Sequence, residues 1–133
     1  MTMTNAAFRA SRIAAIAACC TLLGACASSG RDEGRGISHV VLFTLNDKAD
    51  RPALERDARA MLERVPSVES YSLGTAIPSE RPVVDSSFDL GMVVRFMDTT
   101  AYRAYESHEA HTNLVKAWAP KIKALKILDV EAR

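Results

Sequence analysis

The chain of 133 residues has only three cysteines, Cys19, Cys20 and Cys26, and none after them. From Ala27 to Arg133 no thiol remains, so any fold there must hold by packing, without a disulfide. Histidine is equally scarce, limited to His39, His108 and His111. No sign of charge dominates, with 17 Lys and Arg against 16 Asp and Glu. The basic stripe of a nucleic-acid binder is missing, and nucleic acid is not an expected partner. Lys116, Lys121, Lys123 and Lys126 do cluster, but they read as a solvated helix end running into a strand. There is no P-loop, nucleophile elbow or dinucleotide fingerprint, and no cofactor is expected. No apolar run reaches the roughly 20 residues a membrane-spanning helix needs.

What is present starts with an address. Arg9 and Arg12 precede an uncharged stretch from Ile13 to Ala25 in which every residue except Thr21 is apolar, small or Cys. This suits the hydrophobic region of a secretory signal. It ends in Leu22-Leu23-Gly24-Ala25-Cys26, which resembles a bacterial lipobox with Cys26 as the lipidated residue. Residues 1–25 are therefore expected to be a lipoprotein signal peptide. Residues 26–36 follow as a lipidated cysteine and a flexible tether rich in Gly and Ser. Several acyl chains on one cysteine would make membrane anchoring stable. Ala27 stands where an Asp would retain a lipoprotein in the inner membrane of enteric bacteria, so the resemblance implies the outer membrane, facing the periplasm. Without Arg9 and Arg12, 15 basic side chains remain against 16 acidic ones, a formal charge of −1.

The rest, residues 37–133, suits one domain with one core. Ile37 to Leu45 alternates as a strand, with Ile37, His39, Val41, Phe43 and Leu45 on one face. Asp50 and Pro52 mark a helix start, and Leu54, Ala58, Met61, Leu62 and Val65 form an apolar stripe that Pro66 ends. Strands are predicted over Val68 to Ile77 and Phe88 to Phe96. Thr99 or Thr100 is expected to cap a second helix that breaks near His108. A further turn or two follows to Pro120, and a last strand covers Leu125 to Val130. The order β-α-β-β-α-β is the ferredoxin-like α+β plan. Right-handed crossovers put both helices on one face of the sheet. The first and third strands are apolar on both faces, so the uncovered face calls for a second copy of the same sheet in an isologous contact.

Four segments in this order carry a resemblance. They are Ile37-Ser38-His39-Val40-Val41-Leu42-Phe43, then Val65-Pro66-Ser67-Val68 with Leu73-Gly74, then Phe88-Asp89-Leu90 leading to Phe96, and last Tyr105-x-x-His108-x-x-His111. Together they resemble the stress-responsive A/B-barrel, or Dabb, family. The resemblance implies a homodimeric α/β barrel formed by two face-to-face sheets. The family often has Pro after the first late histidine; here Glu109 stands there, and a softer helix break is expected. Most members have no assigned activity. One plant member is a cyclase that closes a polyketide ring by aldol chemistry. Its catalytic Tyr and His match Tyr105 and His111, and its early histidine matches His39.

Such chemistry needs a base near neutral pKa, which histidine supplies, and a hydroxyl donor for the developing oxyanion, which tyrosine supplies. The resemblance thus implies Tyr105 and His111 as the catalytic pair, with His39 and His108 as ligand-binding residues. Several readings compete. The domain binds a small, largely apolar or aromatic molecule in a stress or envelope setting; or it is a cyclase- or isomerase-like enzyme; or it is a structural dimer whose histidines cap helices. A metal held by His108-x-x-His111 is a weaker reading without Cys or a fixed acid, and no metal is expected. Trp118, with Leu114 and Val115, reads as core.

Overall fold

The computed structural model describes residues 36–132. The expected signal peptide, Cys26 and all of the expected tether except Gly36 fall on residues outside this range. The described residues belong to one compact unit. Its elements are β1 (Gly36–Leu45), α1 (Arg51–Leu62), β2 (Ser70–Gly74), β3 (Leu90–Phe96), α2 (Thr99–Ser107), α3 (Glu109–Trp118) and β4 (Ile122–Ala132). Single 3-10 turns at Lys48–Asp50 and Ala119–Lys121 precede α1 and β4. The sheet is antiparallel throughout, in the order β2-β3-β1-β4, which is the ferredoxin-like plan. Among the described residues no helix is long and apolar enough to cross a membrane.

The alternation in β1 places Ile37, His39, Val41, Phe43 and Leu45 in the core beneath the helices. Leu90, Met92, Val94 and Phe96 of β3 join them, as do Leu54, Ala58, Met61 and Leu62 of α1. Gly36 opens β1 with φ +107°, a conformation only glycine adopts freely, and a Cβ there would collide with the carbonyl of Phe96.

Several boundaries differ from expectation, each for a local reason. The apolar stripe runs to Val65, which is buried, but α1 ends at Leu62. Past the cap residue Glu63, the amides of Arg64 and Val65 bond three residues back, to Met61 and Leu62. This tightening lets the chain leave the helical conformation before Pro66. β2 is five residues, not ten, because it pairs only with β3, and Gly74 already lies opposite Gly91, one residue from the start of that strand. β4 is longer than expected, since β1 offers it partners from Gly36 to Leu45. The cap of α2 is Asp98 rather than Thr99 or Thr100: its carboxylate accepts from the Ala101 amide at 2.8 Å.

The break at His108 is complete, not soft, and α3 beyond it is a ten-residue helix rather than a turn or two. His108 is extended at ψ 137°, and its Nδ1 accepts from the amide of Ala110 at 3.1 Å. An imidazole acting as N-cap thus ends one helix and starts the next without proline.

Candidate functional site

A cavity of about 390 Å³ lies between β1, β4 and the helices. It exists because the helices do not fully cover the β4 edge. Leu125 and Ile127 face the helix side of the sheet, opposite Phe43 and Val41, yet each stays 48% exposed. The strand register sorts the cavity into two ends. His39 of β1 lies opposite Asp129, while Phe43 lies opposite Leu125. The polar end gathers His39, Tyr102, Tyr105, Glu106 and His111. The register sets Phe43, Leu125 and Ile122 at the other end, which Trp118 joins from four residues before Ile122; Val41, Leu54, Met92, Leu114, Val115 and Ile127 are among the remaining apolar lining.

At the polar end, His39 Nδ1 lies 2.6 Å from Asp129 Oδ1. The Tyr102 hydroxyl donates to the other carboxylate oxygen at 3.1 Å. An ionised carboxylate can only accept, so Nδ1 of His39 carries the proton and Nε2 is left for the cavity. Burial, then the hydrogen bond and charge of Asp129, hold the Tyr102 phenol well above its ordinary pKa, so it stays a donor. The Tyr105 ring packs 5.8 Å from His39 and 4.5 Å from His111, centroid to centroid. Tyr105 is 1% exposed and lines the cavity. Burial and, secondarily, the charge of Glu106 raise its pKa as well.

His111 reaches its place through the helix break. Its Nδ1 lies 3.0 Å from the carbonyl oxygen of Glu106, near the end of α2. A carbonyl cannot donate, so Nδ1 is protonated and Nε2 holds the lone pair of the neutral ring. Burial lowers the His111 pKa; the Glu106 carbonyl opposes this in part, and His39 adds to it. The ring therefore stays neutral, and able to accept a proton, at a lower pH than a free histidine does.

The structure brings His39, Tyr105 and His111 to one cavity. It does not bring His108 there, because that imidazole is committed to the α3 amide. Two groups escaped the sequence reading, Asp129 and Tyr102. The signal for Asp129 was available: it is the polar residue in step with Leu125 and Ile127, and the fold plan sets its strand beside the first. Trp118 is core, as expected, and its indole N–H donates to Asp57 at 3.2 Å; Leu114 packs against the core only in part, and Val115, also expected there, is half exposed.

The described residues thus form a ferredoxin-like α+β domain with a cavity on its helical side. The sequence matches the family described as Stress responsive A/B Barrel Domain, Dabb, over residues 37–132, and the chain belongs to that family. No curated protein matches the chain. Among solved structures it is similar to a Dabb family protein with a ferredoxin-like fold from Mesorhizobium loti, at 23% identity and TM-score 0.63, covering 74% of this chain and 98% of that one. It is also similar to a dimeric ferredoxin-like protein of unknown function from Thermobifida fusca, at 20% identity and TM-score 0.60, covering 74% and 92%. A hydroxynitrile lyase from Passiflora edulis shares the fold at 11% identity and TM-score 0.66, covering 75% and 95%. At these identities the likeness establishes the fold.

Proposed function

We propose that this is a bacterial envelope protein, lipid-anchored at Cys26 and dimeric through its open sheet face, that binds a small, largely apolar molecule in the cavity beside β4. The observation that carries the binding reading is the cavity itself, apolar along most of its lining and with the Tyr105 ring set between two imidazoles at one end. A hydroxyl donor and two imidazoles at one end of an apolar cavity are fitting partners for a ligand oxygen.

The test is a thermal-shift screen with small aromatic and carbonyl compounds, followed by titration of a hit. Tyr105→Phe removes one neutral hydrogen bond, worth about 0.5–1.5 kcal/mol, so binding should weaken about two- to tenfold while the fold stays intact. If Tyr105→Phe and His111→Ala lower only stability, with binding per folded molecule unchanged, these side chains serve the core alone.

The second reading is an enzyme of cyclase or isomerase type. His39 backed by Asp129 is an oriented imidazole with a free nitrogen, and neutral His111 is a second base across Tyr105. A proton taken from carbon by one imidazole would leave an enolate oxygen for the Tyr105 hydroxyl. The hydroxynitrile lyase of the same fold is compatible with acid–base work in such a cavity, though it transfers no residue roles.

The address has its own test. Cys26→Ala should abolish acyl labelling and leave the precursor uncut by the lipoprotein peptidase. Normal labelling of that variant would remove the anchor from this proposal. An outer-membrane site facing the periplasm and a stress or envelope-maintenance setting are part of the same proposal.

A further inference from the structure

We infer that the ligand is an elongated molecule with an uncharged oxygen-bearing head and an apolar tail, and that ionised fatty acids are excluded. The inference rests on the cavity-binding reading above and adds the ligand's chemical class and orientation. Its first ground is the sheet register. His39 and Phe43 are four residues apart on β1 and line the same cavity. At about 3.3 Å per residue the polar and apolar ends are about 13 Å apart, room for a chain of about ten carbons. The tail end holds Phe43, Leu125 and Trp118, with no polar side chain to satisfy a second head.

The second ground is the sign of charge. The head end carries two carboxylates, Asp129 on His39 and Glu106 at the rim, whose charge reaches Tyr102, Tyr105 and His111. Neither Lys nor Arg lines the cavity among the described residues. Lys121, which lies over the Trp118 ring, is already paired with Asp50 at 3.2 Å. An anionic head would face like charges with no Lys or Arg in the lining to offset its desolvation. A ketone, aldehyde or phenol oxygen fits instead: it accepts from Tyr105, and any proton it carries can be donated to a histidine Nε2.

Trp118 is the single tryptophan of the chain and lines the tail end, so its fluorescence reports occupancy there. The experiment titrates the full chain with unbranched 2-alkanones and with alkanoates of matching length at pH 8. Affinity for the ketones should rise about fourfold per added methylene and level off near about ten carbons, when the tail fills the cavity. The matching alkanoates should bind at least about tenfold more weakly. Glu106→Gln, at an exposed position, should narrow that gap. Leu125→Glu should cancel the length dependence while a short ketone still binds. Equal or tighter binding of the alkanoates overturns the uncharged head, and a flat length dependence overturns the tail; both leave the cavity as a binding site. If no ketone, acid or small aromatic changes either Trp118 fluorescence or the melting temperature of the folded domain, the binding reading falls too.

Discussion

Leu128→Asp should convert the proposed dimer into a monomer. Leu128 is on β4 opposite Val40, and Val40 is in turn opposite Val93 on β3. The three therefore cross the sheet as one apolar row on the face away from the helices. Leu128 is 51% exposed, its same-face neighbour Val130 56% and Val93 37%. Leu42 adds a second apolar position two residues along β1. A contiguous apolar patch on a sheet face is uncommon for a monomer and suits a self-complementary contact. In an isologous interface the substitution enters twice, once from each copy, and each carboxylate loses its water among apolar side chains; Lys126, two residues along on the same face, is already paired with Asp85 at 2.7 Å. A desolvated charge without a partner costs several kcal/mol, enough to weaken association by orders of magnitude. Light scattering at micromolar concentration should show wild type as a dimer and the variant as a monomer with an unchanged circular dichroism spectrum. A wild-type monomer at high concentration, or a variant that stays dimeric, would sink the sheet-face dimer.

The same row shows which features could be read from residue order. Alternation in β1 separates a helix-facing set from an open set without any structure, because strand side chains repeat every two residues. The stripe of α1 is legible for the same reason at period 3.6. The site was legible only in part. Tyr105 and His111 are six residues apart, a spacing that suggests one side of a straight helix. The structure reaches the same closeness by another route, a break at His108 and a turn of His111 back onto the Glu106 carbonyl. The capping role of His108 depends on one backbone angle, which no composition or period announces. Asp129 was hidden because its partner is 90 residues away along the chain and only the β1–β4 register joins them. The cavity itself comes from what α2 and α3 fail to cover, and an unfilled volume leaves no trace in a hydrophobic pattern.

Phe96→Ala should cost about 3–5 kcal/mol of stability, a large share of what a domain of this size has. Phe96 is fully buried at the end of β3, and its ring packs 5.4 Å from Tyr102 and 5.0 Å from Tyr105. It does not line the cavity. It supports α2 from below, at the two residues that present hydroxyls to the site. Truncation would remove the apolar area of a phenyl ring and leave a void under both tyrosines, which the surrounding core can fill only in part. Urea unfolding of the isolated domain should show the lower midpoint with an unchanged slope, as expected when stability falls but the surface exposed on unfolding does not. Phe96→Leu keeps most of the volume and should cost clearly less. Because α2 rests on this ring, any ligand found for the cavity should bind more weakly to folded Phe96→Ala than to Phe96→Leu, although neither substitution touches the ligand. A Phe96→Ala domain as stable as wild type would mean that α2 is held on the sheet by something other than this aromatic cluster. The tyrosine hydroxyls would then owe their placement to the Asp98 cap and the Asp129 hydrogen bond alone.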